Sequence, residues 1–139
     1  MRVFLDSSAL LKHYIDEPGS RRVRTRLRKA QELLLSVLAW PESISALNRL
    51  RREGALDDAQ YAVIKKRLAE DLASATIVAL ADDVLDTAVR CLEEAALRAS
   101  DAIHIASAAV AGVDCFVSAD RRQCAAARAM GLAVEEVPS

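Results

Sequence analysis

The sequence predicts an α/β fold, with helices packed on both faces of a small, mainly parallel central sheet. Short apolar runs alternate along the chain with longer segments whose apolar residues recur at helical spacing. Because helices follow the strands, neighbouring strands should run in the same direction. Hydrophobic residues make up 53% of the chain and aromatic residues only 4%. The core is therefore aliphatic, which suits helices packed on a sheet.

Five segments are typical of strands and seven of helices. The first strand covers residues 3–5 and stops at Asp6, after which Ser7 and Ser8 begin a helix. Further strands are predicted at 33–38, 76–80, 115–118 and 132–137, the last at an edge of the sheet. Further helices are predicted at 20–30, 39–50, 57–73, 82–96, 100–111 and 120–130.

Two helical regions have additional features. The short connection between the helices at 39–50 and 57–73 predicts a helical hairpin. The helix at 82–96 should turn one apolar stripe inward, made of Val84, Leu85, Ala88, Val89 and Leu92. The chain shows no internal repeat and no linker, so residues 1–139 are predicted to form a single domain.

Composition excludes several classes of protein. The 139 residues are enough to bury a core without disulfides, and the three cysteines lack the spacing of a metal site. A net charge of −1 argues against a simple electrostatic binder of nucleic acid. No apolar stretch reaches the roughly 20 residues of a membrane span, and the N-terminus lacks signal-peptide features. We therefore expect a cytoplasmic protein.

Four acidic residues stand out by their positions. Asp6 ends the first strand, and Asp120 lies just past the fourth. Glu42 lies in the first turn of the helix that follows the second strand, and Asp101 in the first turn of the helix that begins near Ser100. Because parallel strands end at the same edge of a sheet, Asp6, Glu42 and Asp120 should converge there. Asp101 can join them from its helix.

An alternative explanation exists for acids at these positions. Carboxylates are favoured in first helical turns, where each contributes about 0.3–1 kcal/mol, and Asp6 can act simply as an N-cap. Carboxylates that converge, however, repel one another unless protons or cations neutralise them. A donor set made only of oxygen favours Mg²⁺ or Mn²⁺. Such a site suits hydrolysis of phosphodiester bonds.

Four blocks of sequence around these acids resemble a known family. They are the N-terminal Val3-Phe4-Leu5-Asp6-Ser7-Ser8-Ala9-Leu10, then Trp40-Pro41-Glu42, Leu97-Arg98-Ala99-Ser100-Asp101-Ala102-Ile103-His104-Ile105-Ala106 and Phe116-Val117-Ser118-Ala119-Asp120. In this order and spacing the chain resembles a PIN-domain ribonuclease, the VapC-type toxin of a VapBC toxin–antitoxin pair. Ser100 stands where many relatives carry an aromatic residue, and Ser118 where a Thr is frequent.

This resemblance implies both a fold and a function. The fold would be a three-layer α/β/α sandwich with a protruding helical hairpin. The activity would be that of a Mg²⁺- or Mn²⁺-dependent endoribonuclease that cleaves RNA, with tRNA or rRNA as the expected target, and so arrests translation. The acidic site would be Asp6, Glu42, Asp101 and Asp120. A cognate antitoxin would inhibit the enzyme.

The mechanism expected from these residues is metal-assisted hydrolysis. Asp6, Asp101 and Asp120 are expected to hold the metal, while Glu42 helps to bind it or orients the attacking water. Hydrogen bonds from Ser7 and Ser118 would support these carboxylates. Arg49 and Arg52 are candidate contacts for RNA phosphates, although a solvated helix face explains them equally well. The two histidines, His13 and His104, are assigned to packing or to the surface.

Other functions and partners stay open at this point. A non-catalytic PIN-fold binding or assembly module, and a metal-dependent phosphohydrolase acting on DNA or a small phosphate, are the alternatives to the RNA-cleaving toxin. An amphipathic antitoxin helix could use an apolar groove on the hairpin, lined by Leu47, Leu50 and Tyr61. A homodimer is also expected, and close packing by small residues at Ala106, Ala108 and Ala109 could contribute to it.

Overall fold

The computed structural model describes the chain from Met1 to Ser139 and contains five strands and seven helices. The strands are β1 (Arg2–Leu5), β2 (Glu32–Ser36), β3 (Thr76–Val78), β4 (Cys115–Ser118) and β5 (Val134–Glu136). The helices are α1 (Ser7–Leu11), α2 (Ser20–Lys29), α3 (Ala39–Arg52), α4 (Asp58–Ser74), α5 (Asp82–Glu94), α6 (Ala99–Ala111) and α7 (Arg121–Ala129). Their number and order agree with the sequence prediction, and β3 is two residues shorter than expected.

The five strands form one sheet in the order β3-β2-β1-β4-β5, and every neighbouring pair is parallel. This arrangement confirms the predicted parallel sheet and the position of the last strand at an edge. Strand β1 lies at the centre, with Val3 aligned to Leu33 on one side and to Cys115 on the other. The C-terminal ends of β1 and β4 therefore leave the sheet next to each other.

Two separate cores lie on the two faces of the sheet. Alternate residues of β1 point to opposite faces, so that Val3 and Leu5 join the core beneath α1 to α4, and Phe4 joins the core beneath α5 to α7. Phe4 stacks on Phe116 with ring centroids 5.6 Å apart. A helical layer on each face of the sheet is the predicted three-layer sandwich.

Helices α3 and α4 pack against each other and form the predicted hairpin. The chain reverses through Gly54, whose φ of 81° favours glycine over residues with a side chain. Asp57 and Gln60 then form a capping box that begins α4. Leu47 of α3 is completely buried. The predicted groove lined by Leu47 is therefore wrong, because this side chain belongs to the core between the sheet and the hairpin.

The prediction for α5 is correct for one stripe and wrong for the next. Val84 and Ala88 are buried in the core that α5 shares with α6, but Leu85, Val89 and Leu92 are 41%, 54% and 38% exposed. A helix on the outside of a sandwich buries only the stripe that faces its neighbours, and α5 packs mainly against α6. None of the seven helices combines the length and the apolar character needed to cross a membrane.

Candidate active site

The C-terminal edge of the central strands brings Asp6 and Asp120 together. Asp6 follows β1 and caps α1, while Asp120 follows β4 and caps α7. The predicted N-cap role of Asp6 is thus real, and it fixes the carboxylate at the sheet edge. Ser118, the last residue of β4, connects the two acids: its hydroxyl donates to Asp6 Oδ2 at 2.7 Å and accepts the Asp120 backbone N–H at 3.0 Å.

The carboxylate of Asp6 is almost completely enclosed, with the residue only 4% exposed. Its Oδ1 accepts the Ala9 backbone N–H at 2.8 Å, and the Ser8 hydroxyl lies 2.8 and 2.9 Å from its two oxygens. Burial raises the pKa of Asp6 above its ordinary value, although the hydrogen bonds from Ser118, Ala9 and Ser8 oppose that shift. No basic side chain forms an ion pair with this buried carboxylate.

Glu42 lies in the first turn of α3 and is only half-buried. The Ser7 hydroxyl donates to its Oε1 at 2.8 Å, and His104 Nε2 lies 2.5 Å from the same oxygen. Burial acts to raise the pKa of Glu42, but the hydrogen bond and charge of His104, with hydrogen bonds from Ser7 and Ser100, outweigh it and lower the pKa. Glu42 is therefore held in its ionised form.

Asp101 lies in the first turn of α6, where Arg98 covers it. The Arg98 guanidinium donates through Nε to Asp101 Oδ2 at 3.2 Å and through Nη2 to Oδ1 at 3.5 Å. The Asp101 side chain is only 15% exposed, whereas that of Arg98 is 79% exposed. The hydrogen bond and charge of Asp101 raise the pKa of Arg98, and the charges of Asp120 and Glu42 add to the effect.

Gln123 of α7 is buried and connects three of the acidic segments. Its backbone N–H donates to Asp120 Oδ1 and its Nε2 donates to the Asp101 carbonyl oxygen, both at 3.1 Å. Its Oε1 lies 3.1 Å from the Ser118 hydroxyl, which in turn donates to Asp6. One hydrogen-bond network therefore holds the ends of β1 and β4 against the start of α6.

The donor set fits a hard divalent cation, because the four acids offer only oxygen atoms and Asp6 receives hydrogen bonds only from uncharged groups. As the side chains lie, however, no three His, Cys, Asp or Glu residues are grouped closely enough to hold a metal ion. The assignment of Asp6, Asp101 and Asp120 as metal ligands therefore stays a prediction.

The two arginines predicted to face RNA lie in different surroundings. Arg49 lines a cavity of about 420 Å³ together with Lys12 and Asp120, so it borders the acidic site. Arg52, the last residue of α3, is exposed and forms no ion pair with any acid of the site. The structure thus brings Arg49, but not Arg52, into a cavity shared with one of the four acids, Asp120.

Sequence reasoning missed His104, Gln123 and Arg98 as members of this site. His104 was assigned to packing, and its ring does contact Phe4 edge-on at 6.2 Å, but its Nε2 bonds Glu42. Arg98, Asp101 and His104 follow one another at intervals of three on α6, so they share a helical face. That spacing indicates, from the sequence alone, that Arg98 and His104 lie beside Asp101. Gln123 had no comparable signal, because only the tertiary fold brings α7 to α6.

His13, in contrast, takes the packing role that the sequence predicts. Its ring lies edge-on to Tyr14 at 4.9 Å between centroids. It lines a cavity with Leu10, Leu27 and Asp71. None of the four acids lines that cavity.

The family model for the PIN domain matches residues 3–129, which is most of the chain and includes all four acids. The chain therefore belongs to the PIN-domain family.

Comparison with individual proteins places the chain more narrowly. It is 35% identical to Ribonuclease VapC46 of Mycobacterium tuberculosis over 134 residues, 95% of each protein, and is thus a VapC-type PIN domain. Solved structures share its fold. PAE2754 from Pyrobaculum aerophilum superimposes with a TM-score of 0.72 at 22% identity, covering 96% of this chain and 83% of that one. VapBC-1 from nontypeable Haemophilus influenzae gives 0.69 at 12% identity, covering 98% of both chains.

Proposed function

We propose that the chain is a metal-dependent endoribonuclease, the toxin of a toxin–antitoxin pair, which cleaves tRNA or rRNA and inhibits translation until its antitoxin binds. Its likeness to Ribonuclease VapC46 over nearly the whole of both proteins supports RNA cleavage. The observation that carries the proposal is the hydrogen-bond network that gathers Asp6, Asp101 and Asp120 at one sheet edge, next to the Glu42–His104 pair.

Asp6, Asp101 and Asp120 are the residues that would hold Mg²⁺ or Mn²⁺. A bound divalent cation lowers the pKa of coordinated water and offsets the negative charge that develops on the phosphate and the leaving oxygen. The unpaired charge of buried Asp6 supports this assignment, because a cation would balance it.

Glu42 is suited to position the attacking water. Ser7 and His104 hold its carboxylate in place and keep it ionised, so that it can accept a hydrogen bond from the water and orient it for attack. Arg49, which lines the cavity beside Asp120, is placed to attract an RNA phosphate. In this proposal the buried Asp6 helps to hold the cation, and the half-buried Glu42 orients the attacking water.

The test is cleavage of a total RNA pool by the purified protein in Mg²⁺ or Mn²⁺, compared with an EDTA control and an Asp6→Asn variant. We expect the wild-type protein to give discrete products and the variant to cleave at least about 100-fold more slowly. Removing a metal ligand should reduce the rate by more than removing a residue that only supports a ligand, which costs about 10- to 100-fold. Asp16→Asn is the matched control, since the Asp16 side chain is 89% exposed and pairs with Arg24 rather than with a residue of the site.

Cleavage that persists in EDTA or in Asp6→Asn would contradict the proposal. Absence of cleavage by folded, antitoxin-free protein would favour the binding or assembly module. A parallel incubation with single-stranded DNA separates the RNA-cleaving enzyme from a phosphohydrolase with another substrate.

The antitoxin is expected to use an apolar groove between the end of α1 and α4. The groove has a volume of about 440 Å³, and Val63 within it is 59% exposed. Its apolar lining consists of Tyr14, Ile15, Leu56, Ala59, Val63 and Ile64, and Asp16 and Gln60 complete it. An amphipathic helix would bury this surface. We therefore expect the antitoxin in this groove rather than in the one that the sequence predicts around Leu47.

The homodimer is expected to form through the exposed stripe of α5. Of the three small residues that the sequence suggests for this role, Ala106 and Ala108 are buried inside the chain and cannot contact a second copy, while Ala109 is partly buried. The molar mass of the purified protein from light scattering, with and without its antitoxin, tests both partner assignments. A monomer at micromolar concentration would contradict the dimer.

A further inference from the structure

Arg98 is the basic residue that the proposed mechanism leaves without a role. It is the N-cap residue of α6, and its guanidinium pairs with both oxygens of Asp101. Among the ion pairs of the structure, only this one and the His104–Glu42 pair involve an acid of the site. Arg98 therefore supplies the positive charge on the solvent side of the acidic cluster.

The contrast in exposure places the guanidinium on the solvent side of the pair. The Asp101 side chain is 15% exposed and that of Arg98 is 79% exposed, so the arginine covers the carboxylate from outside and is anchored by little else. An i,i+3 ion pair whose guanidinium stays in solvent contributes little to folding stability. The pair is thus poorly explained as a device that stabilises the helix.

A divalent cation and Arg98 would compete for the same carboxylate. Each neutralises Asp101, and a cation that takes the carboxylate oxygens removes the partner that holds the guanidinium. The released guanidinium would still lie at the rim of the site, where its forked donors match the geometry of a phosphate.

We propose that Arg98 is a phosphate-binding residue: it covers Asp101 in the metal-free protein and contacts an RNA phosphate once a divalent cation has taken Asp101. This inference rests on the proposed metal-dependent cleavage of RNA. It adds a residue to that reaction and predicts opposite effects on metal binding and on catalysis.

The experiment measures both effects in Arg98→Gln. Titration calorimetry with Mn²⁺ alone, without RNA, should show about threefold to tenfold tighter binding, because the competing charge is gone. RNA cleavage by the same variant should fall about 10- to 100-fold in kcat/KM, because a charge-assisted contact to the phosphate is lost.

Three further variants complete the design. Arg98→Lys keeps the positive charge but lacks the forked N–H donors of the guanidinium. It should leave Mn²⁺ affinity near the wild-type value, while cleavage stays reduced. Arg90→Gln makes the same charge change at an exposed arginine of α5 that contacts Thr87, and should alter neither quantity. Asp101→Asn should weaken Mn²⁺ binding, which establishes that the calorimetric signal reports this site.

The outcomes separate this inference from the proposed function. If the wild-type protein binds no Mn²⁺, the metal-dependent mechanism fails and Arg98 loses its role with it. If the wild type binds and Arg98→Gln binds equally or more weakly, the competition is disproved while the nuclease stands. Tighter Mn²⁺ binding with unchanged cleavage would likewise overturn the assignment of Arg98 to a phosphate.

Discussion

Asp6 and Glu42 lie at the same sheet edge but in opposite electrostatic surroundings. Asp6 is 4% exposed and receives hydrogen bonds only from uncharged donors, so burial raises its pKa. Glu42 is half-buried and pairs with His104, and its pKa is lowered even though burial opposes this. Two carboxylates that ionise differently can serve different functions in one site.

The difference follows from the positions of the two residues. Asp6 directly follows the central strand, where neighbouring strands and α1 exclude water. Glu42 lies on α3, at the rim, where α6 brings the His104 ring to it. The enclosed carboxylate has no ion-pair partner, whereas the rim carboxylate pairs with His104 and stays ionised. Three substitutions test this comparison.

The largest effect on stability is expected for Ser118→Ala. Ser118 is completely buried, and its hydroxyl donates to Asp6 and accepts the backbone N–H of Asp120. Its removal leaves the buried Asp6 carboxylate short of a donor, and we expect the free energy of unfolding to fall by about 2–3 kcal/mol at pH 7. Urea denaturation measures the change.

Ser43→Ala is the matched control for that substitution. The Ser43 hydroxyl is equally buried, but it has no hydrogen-bond partner. Its removal should leave stability unchanged or slightly higher. Equal losses in the two variants would mean that the network around Asp6 contributes nothing specific.

A smaller effect is expected for His104→Gln, which tests the other carboxylate. Without the His104 contact, burial dominates, and the pKa of Glu42 should rise above its ordinary 4.5. Because the lowered pKa stabilises the fold above pH 4.5 and this stability is lost as the pH falls, the variant should be about 1–2 kcal/mol less stable near pH 6.

Carboxyl carbon NMR titration follows the pKa of Glu42 directly. His13→Gln is the control, because His13 lies beside Tyr14 and none of the four acids lines its cavity. A pKa of Glu42 that does not respond to His104→Gln would show that the pair does not hold this carboxylate in its ionised form.

The smallest effect is expected for Asp6→Asn, and it has the opposite sign. Because the pKa of Asp6 in the folded protein is raised above its ordinary 3.8, folding favours the protonated form. The stability that this provides is fully present below pH 3.8, and it is lost as the pH rises through the pKa of the folded state. Ionised Asp6 therefore destabilises the metal-free protein at neutral pH. The variant, in which cleavage is expected to be strongly reduced, should be about 1 kcal/mol more stable at pH 7.5.

Urea denaturation in EDTA at pH 4.5 and pH 7.5 checks the sign, because the advantage of Asp6→Asn should shrink at the lower pH. Asp86→Asn should show no such dependence, since Asp86 is exposed and forms no ion pair. A variant less stable than wild type at pH 7.5 would mean that the hydrogen bonds to Asp6 outweigh its burial.

Much of the fold was predictable because its signals are local. Apolar runs, helical spacing and capping residues such as Asp57 predict the order of all twelve elements, since each depends on neighbours a few residues away. The α5 stripe shows where local reasoning ends. Leu85 and Val89 have the same spacing as the buried Val84 and Ala88, and only the position of α6 decides which stripe is covered.

The acidic site divides in the same way. By itself the sequence determined the PIN family, the parallel sheet and the placement of acids at the starts of helices, because these depend on residue type and spacing. The hydrogen bonds from Ser7 and Ser118 to the carboxylates were predictable from the same motifs. Only the tertiary structure decided the contacts that the motifs do not indicate, those of His104 with Glu42 and of Gln123 with the Asp101 carbonyl oxygen. The ionisation of these carboxylates depends on their burial and on partners from distant segments of the chain. Both arise only when the folded chain packs these segments together.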